Sequence, residues 1–184
     1  MTSKQETFTV WMKSLVCHSN GCTVFNSNGE IVYRVENYDN KCTKEVYLMD
    51  LRGKVLFTIR RRKRALAFGR WDGYRWSSTG SLNKEKPWFQ VKKYCCRFLM
   101  GNLACQVTVA RDRYWILKKS ARKPAFRIVM NNINGDIIAE VNQKQSSSGI
   151  SFGEDVLTLR VEPHVDHSFI VALVTVYGLI NRRL

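Results

Sequence analysis

The sequence predicts a mainly β protein, a closed antiparallel β-barrel built around one hydrophobic C-terminal helix. Three observations favour this fold class: a turn-and-strand pattern that occurs three times, a series of further short strand-like segments, and one long apolar segment near the C-terminal end. The chain has 184 residues, a length typical of one domain, and no linker-like change of composition divides it. We therefore expect residues 1–184 to form a single domain.

The repeated pattern predicts three β-hairpins. In each copy an Asn or Asp stands three residues before a glycine, and the pairs are Asn26 with Gly29, Asp50 with Gly53, and Asn132 with Gly135. An Asn or Asp at the first turn position can bond the backbone two residues on, and glycine at the fourth accommodates a positive φ before a bulge. After each glycine, apolar residues recur with the period of two that marks a strand with one inward face.

Short strand-like segments fill most of the remaining chain. They cover residues 8–12, 14–18, 22–26, 43–49, 65–70, 87–93, 105–110, 113–118, 124–131 and 156–162, with loops at 77–85 and 145–149. Many short strands separated by glycine-marked turns are typical of an all-β barrel or sandwich.

The C-terminal segment predicts a helix. Asp166 is a good N-cap residue, and it precedes HSFIVALVTVYGLINRR, whose apolar run is too long for a typical strand. Arg182 and Arg183 would complement the helix dipole. A helix that is apolar on all sides has to be enclosed, and only β-strands are available to enclose it. The sequence therefore favours a barrel wrapped around this helix.

The charge is concentrated in the middle of the chain. The sequence has 30 Lys and Arg against 15 Asp and Glu, a net charge of +15, and residues 51–123 hold 20 of the basic and 3 of the acidic residues. This local excess of seventeen suggests a polyanionic partner, either nucleic acid or an anionic membrane surface. A merely solvated basic face is the alternative.

The sequence predicts an intracellular, soluble protein of the cytoplasm or nucleus that can be peripheral at the plasma membrane. No apolar run follows a basic start at the N-terminus, so we expect no secretory signal. The longest apolar stretch, residues 169–180, is too short to span a bilayer as a helix. The six cysteines include no C-x-x-C pair, and we expect them to be reduced.

Several stretches carry a family resemblance. The segments TVWMKSLVCHSNGCTVFNSNGEIVYRVENY, VYLMDLRGKVLFTIRRRKRALAFGRWDGY, PWFQVKKY and DHSFIVALVTVYGLI resemble the plant LURP-one-related family, and the resemblance runs from Phe8 to Ile180. It implies a tubby-like fold with about twelve strands around a central hydrophobic helix, a fold shared with phospholipid scramblases. It also implies a relation to membrane-tethered transcription factors and a role in plant defence.

The candidate anion-binding residues are two basic groups, Arg60, Arg61, Arg62, Lys63 and Arg64, and Lys92 with Lys93. A continued strand would point Arg61 and Lys63 inward, and buried unpaired charges are costly, so we expect the strand to end near Arg60. The run would then lie at the barrel rim and bind a phosphoinositide or another anionic head group. Arg97 and a third group of Lys118, Lys119, Arg122 and Lys123 follow.

Two other partners remain open. The run at residues 60–64 is also typical of a nuclear localisation signal or nucleic-acid patch, and basic residues alternate with aromatics in FGRWDGYRW (68–76). We expect Trp71, Tyr74 and Trp76 to serve packing rather than base stacking. An acidic protein could also dock on the basic face. We expect a monomer.

The sequence predicts no enzyme, no cofactor and no metal site. Cys17 and His18 are adjacent, so on a strand their side chains would point to opposite faces. His164 and His167 have no further ligand nearby in sequence, and no catalytic motif is present. The acidic residues that could meet in space without a pairing pattern are Asp136, Glu140, Glu154 and Asp155.

Overall fold

Twelve strands and one helix form the part of the chain that the structure, a computed structural model, describes. The described residues are 2–12, 21–36, 45–62, 69–76, 86–94, 102–120 and 124–181. The strands are β1 (Glu6–Trp11), β2 (Cys22–Phe25), β3 (Ile31–Glu36), β4 (Glu45–Asp50), β5 (Val55–Arg61), β6 (Arg70–Arg75), β7 (Phe89–Lys93), β8 (Leu103–Val109), β9 (Asp112–Lys118), β10 (Phe126–Met130), β11 (Ile137–Gln143) and β12 (Val156–Val161). The helix, α1, spans His167–Ile180.

The strands close into one antiparallel barrel. Each strand pairs with its neighbours along the chain, and β1 pairs with β12 to close the ring. Full closure leaves no unpaired sheet edge. The predicted fold class, a closed antiparallel barrel with a hydrophobic C-terminal helix, is confirmed.

The three predicted turns form as expected, with one difference. The glycine N–H donates to the carbonyl oxygen of the Asn or Asp in each turn, at 3.1, 3.1 and 3.0 Å, and each hairpin carries a bulge next to the turn. Each Asn or Asp side chain accepts from the backbone N–H two residues later, at 2.9, 2.9 and 2.8 Å. Gly29 and Gly53 have φ of +80° and +77°. In the third turn the positive φ lies at Asn131 instead of Gly135.

Helix α1 lies in the hydrophobic core, as its composition requires. Ten consecutive residues, 169–178, are buried, so the helix is covered on every side. Asp166 caps it by accepting hydrogen bonds from the backbone N–H groups of Ser168 (3.0 Å) and Phe169 (3.3 Å). At the other end of the helix the Tyr177 ring packs on Phe126, with centroids 4.2 Å apart. No helix among the described residues is long and apolar enough to cross a bilayer.

Some predicted boundaries differ from the structure. Residues 65–68 of the strand predicted at 65–70 lie outside the described ranges, and strand β6, Arg70–Arg75, continues past the predicted end. The predicted strand 14–18, the predicted loop 77–85 and Arg182 with Arg183 also lie outside the described ranges. Strand β5 continues to Arg61, one residue beyond the predicted end, because this half-buried arginine pairs with Trp71 at the very end of the barrel. After the third turn, the period-two pattern that follows Gly135 begins with Ile137 and predicts that it faces inward, but Ile137 is 38% exposed.

Antiparallel order gives the barrel two distinct ends. The three repeated turns and the start of α1 lie at one end, which we call the turn end. Strands β5, β7, β9 and β11 run away from that end and finish at the other, which we call the basic end. The alternating strand direction determines which of the predicted basic groups lie at the same end of the barrel.

Candidate functional site: a basic depression on the barrel wall

The predicted basic groups meet at one end of the barrel. Strands β5 to β9 are consecutive in the sheet, and three of them finish at the basic end. The cations at those strand ends are Arg60, Arg61 and Arg62 for β5, Lys92 and Lys93 for β7, and Lys118 and Lys119 for β9. Local charge runs that are separate in sequence are therefore neighbours on one rim.

Two of the candidate residues, Arg62 and Lys92, border the same surface depression. It lies on the outer face of β5 to β8, has a volume of about 130 Å³, and is also bordered by Arg70 of β6. The strand register explains the grouping, because Arg70 lies opposite Lys92, which lies opposite Gln106 on the next strand. The further lining residues are Asp72, Gln90, Val91 and Thr108.

Asp72 organises the depression. Its buried carboxylate accepts a hydrogen bond from Arg62 Nε at 3.0 Å and another from Gln90 Nε2 at 3.0 Å. Three cations and this one carboxylate leave the described lining with a net charge of +2. Arg70 and Lys92 are exposed. A concave surface with a positive excess can attract a phosphate or carboxylate group.

Lys92 is also placed by a neighbouring aromatic ring. Its Nζ lies 5.2 Å from the centroid of the Tyr94 ring, within the range of a cation–π contact. The Tyr94 hydroxyl in turn donates to Gln106 Oε1 at 2.8 Å. The lysine head group is therefore held over the Tyr94 ring, at the edge of the depression.

Arg60 has a different environment from Arg62. It forms a two-point ion pair with Glu45 across the β4–β5 ladder, Nη2 to Oε1 at 3.0 Å and Nε to Oε2 at 2.7 Å. Its guanidinium also lies 5.4 Å from the centroid of the Tyr74 ring. Through these contacts Arg60 links strands β4, β5 and β6 of the barrel wall.

Arg61 and Lys93 lie on the inward-facing register, away from the depression. Arg61 pairs with the core residue Trp71, and Lys93 pairs with the core residue Cys105. Burial raises the pKa of the Cys105 thiol to about 12, and the charges of Lys93 and Lys118 oppose part of this rise. Lys92 and Lys93, predicted as one group, are thus separated onto the two faces of β7.

The remaining predicted cations cannot be placed. Lys63 and Arg64 of the first group, Arg97, and Arg122 with Lys123 of the third lie outside the described residues. Conversely, sequence reasoning missed Arg70 and the polar lining at Asp72, Gln90, Gln106 and Thr108. The segment FGRWDGYRW alternates basic and aromatic residues, and this pattern could have indicated Arg70 as a binding residue. To tell which of its residues lie on the outer face of the barrel, the start of β6 had to be known.

The aromatic residues of that segment pack into the structure. Trp71 is 6% exposed and belongs to the core, and Tyr74 contacts Arg60. Trp76 Nε1 donates to Thr58 Oγ1 at 2.8 Å, which covers the outer face of β5. The packing interpretation of these rings agrees with their contacts.

The other candidate groups are not gathered into a site. His164 is exposed, whereas the His167 ring packs on Phe8 with centroids 5.2 Å apart. Asp136 lies at the turn end, and Glu154 and Asp155 follow the β11–β12 hairpin at the basic end. The described residues contain no group of three or more metal-binding side chains. Cys17 and His18 lie outside the described residues.

A larger depression of about 430 Å³ lies on another part of the wall. It is lined by Ala125, Asn142, Gln143, Gln145, Thr158 and Arg160, with one cation among uncharged polar groups. None of the predicted site residues that the structure describes borders this depression. The smaller depression, which has three cations in its described lining, is therefore the better candidate for binding the anionic partner that the basic charge of the chain suggests.

Comparison with known proteins places the chain in a family. The family model described as LURP-one-related matches residues 6–178. The chain belongs to the LURP-one-related family. Protein LURP-one-related 4 of Arabidopsis thaliana is 53% identical over 182 residues, which cover 98% of this chain and 81% of that protein. Protein LURP-one-related 11 of the same plant is 46% identical over 187 residues, covering 98% of this chain and 80% of that protein.

A solved structure has the same fold as this LURP-one-related chain. The X-ray structure of an Arabidopsis thaliana protein superposes with a TM-score of 0.67 and 16% identity, covering 98% of this chain and 94% of that one. At this identity the likeness concerns the fold alone. The relatives are named for their family and not for an enzymatic activity, and the absence of catalysis stays a prediction.

Proposed function

We propose that this LURP-one-related protein is a non-enzymatic module that binds the phosphorylated head groups of anionic membrane lipids, phosphoinositides included. The observation that carries the proposal is the convergence of Arg62, Arg70 and Lys92 from three strands on one depression. Such binding would make the protein peripheral at a membrane surface.

The chemistry of the lining suits a phosphate group. The guanidinium groups of Arg62 and Arg70 can each present two parallel N–H donors to phosphate oxygens, and the Lys92 ammonium adds a compact positive charge. The amides of Gln90 and Gln106 and the hydroxyl of Thr108 can bond further oxygens or ring hydroxyls of a head group. The Asp72 carboxylate holds Arg62 in position.

The expected energy is modest and depends on salt. A cation near an anionic membrane contributes about 1 kcal/mol, so Arg70 and Lys92 together account for about 2 kcal/mol, or roughly thirtyfold in affinity. Nucleic acid and an acidic protein would use the same charges. None of the described lining residues is aromatic, and the neighbouring Tyr94 ring already contacts Lys92. This lining favours a head group over single-stranded nucleic acid, which binds by base stacking.

A titration with inositol hexakisphosphate tests the proposal without a membrane. The variant Arg70→Gln/Lys92→Gln leaves the Arg62–Asp72 pair intact and should bind at least about tenfold more weakly than the parent protein. The control Arg52→Gln/Lys54→Gln removes the same charge from exposed positions at the turn end and should bind within about twofold of the parent. Equal binding by the first variant and the parent would contradict the proposal.

Two further arms of the titration separate the alternatives. Tight binding of single-stranded DNA with a steep salt dependence, but no binding of inositol hexakisphosphate, would favour a nucleic-acid interface.

Replacing residues 60–64 together by alanine should abolish binding to phosphoinositide vesicles. Since that variant also breaks the Arg60–Glu45 pair, its thermal unfolding has to be measured alongside. The relation to membrane-tethered transcription factors and the role in plant defence stay predictions.

A further inference from the structure

The hairpin that joins β11 to β12 exposes two large apolar side chains. Ile150 is 70% exposed and Phe152 is 46% exposed. Grouped exposed apolar residues beside charged ones are typical of an interaction surface. Both residues lie at the basic end, because β11 finishes there and β12 begins there.

The hairpin is an ordered structure with its own hydrogen bonds. The Ser146 N–H donates to the Ile150 carbonyl at 2.8 Å, and the Ile150 N–H donates to Ser146 Oγ at 3.1 Å. Phe152 N–H donates to the Lys144 carbonyl at 2.9 Å, and Gln145 forms a bridge with Ser151. The exposed position of the apolar pair is therefore fixed by backbone geometry.

The basic end and the turn end of the barrel differ in their net charge. The turn end also exposes apolar side chains, Leu51 at 69% and Ile133 at 47%. There acidic and basic residues are mixed and their charges nearly cancel. The acidic ones are Glu6, Glu30, Asp50, Asp112, Asp136, Glu162 and Asp166, and the described basic ones are Lys4, Arg52, Lys54, Arg75, Lys86, Arg111 and Arg113. The described strand ends of the basic end carry more cations than carboxylates. The hairpin there has Lys144 at its base and Glu154 and Asp155 after Phe152. Lys119 reaches β11 from β9, with Nζ 3.3 Å from Glu140 Oε1 and 3.2 Å from Asn142 Oδ1. An anionic surface would therefore attract the basic end more strongly than the turn end.

We infer that the β11–β12 hairpin is a membrane anchor that inserts Ile150 and Phe152 into the interfacial layer of an anionic bilayer. This inference rests on the proposed head-group site and assigns an orientation to it. The depression lies on β5 to β8 and the hairpin between β11 and β12, on different sides of the ring. One flat bilayer contacts both only when the basic end faces it.

Vesicle sedimentation with a matched pair of variants tests the anchor. The vesicles contain phosphatidylcholine, phosphatidylserine and phosphatidylinositol bisphosphate. Ile150→Ser/Phe152→Ser should bind them at least about tenfold more weakly than the parent, since interfacial binding scales with the apolar area buried. Leu51→Ser/Ile133→Ser removes side chains of nearly equal exposure from the turn end and should bind like the parent.

Inositol hexakisphosphate separates the anchor from the head-group site. Both serine variants should bind it as the parent does, and both should unfold at the parent's temperature because the changed side chains are exposed. If Ile150→Ser/Phe152→Ser binds vesicles as tightly as the parent, the hairpin is not an anchor, whereas the head-group site stands. If the parent binds neither vesicles nor inositol hexakisphosphate, both proposals are wrong.

Discussion

Asp72 determines how the depression between β5 and β8 is charged and how rigid it is. Its carboxylate lies between Arg62, which approaches from the end of β5, and Gln90, which lies opposite it on β7. The pair is only partly shielded from water, since 32% of the Arg62 side chain is exposed, and its contribution to stability is correspondingly small. The residue thus offers a way to change the charge of the site with little change to the fold.

Replacing Asp72 by Asn should strengthen anion binding. The amide keeps an acceptor oxygen for one neighbour and removes the negative charge, so the described lining changes from +2 to +3. We expect inositol hexakisphosphate to bind about threefold to tenfold more tightly, and the free energy of unfolding to fall by about 1 kcal/mol. Binding unchanged from the parent in a folded Asp72→Asn variant would contradict an anion that sits beside Asp72 in this depression.

Only some properties of single residues could be predicted from the sequence. The density of charge at residues 60–64 was evident from the sequence. The pairing of Arg60 with Glu45 and of Arg62 with Asp72 was not, because these contacts depend on the register between neighbouring strands. Lys92 and Lys93 show the same limit, since the faces on which they lie follow from the phase of β7. Pairing register, a tertiary property, decides the role of each cation.

At the level of elements, the hairpins and the helix follow closely from local chemistry. The turns at Asn26, Asp50 and Asn132 form because an Asn or Asp side chain and a glycine satisfy the same backbone groups each time. Helix α1 begins at the predicted cap because Asp166 satisfies two N–H groups that the first helical turn leaves without partners. The part of strand β6 beyond Arg70 was not predicted, because its glycine and aromatic residues give no clear alternation.

The first and third turns should respond differently to the same substitution. Gly29 has φ of +80° with open space around it, and Asn tolerates this conformation, so Gly29→Asn should cost less than about 1 kcal/mol. A Cβ at Gly135 would overlap the Met130 carbonyl oxygen, so Gly135→Asn should cost at least about 2 kcal/mol. Urea unfolding of the two variants compares these costs, and equal destabilisation would contradict the description of the turns.

For the whole molecule, antiparallel order converts a charge excess along the chain into a difference between two ends. The excess of seventeen in residues 51–123 belongs to the segment that contains β5 to β9. The strand direction places eight of its described cations at the basic end, where carboxylates are fewer, and six at the turn end, where carboxylates balance them. Barrel closure around α1 was predictable, because an all-apolar helix must be enclosed. The depression on β5 to β8 could not be predicted from the sequence, since it depends on the register of four strands.

The central claim is that the depression on β5 to β8, and not the total charge of the protein, binds the anionic surface. Sedimentation with phosphoinositide vesicles tests it through two charge reversals of equal size, Arg70→Glu/Lys92→Glu beside the depression and Arg52→Glu/Lys54→Glu at the turn end. We predict that the first variant loses at least about a hundredfold in affinity and the second less than about threefold. Equal losses in the two variants would contradict the claim and leave bulk electrostatic attraction as the explanation.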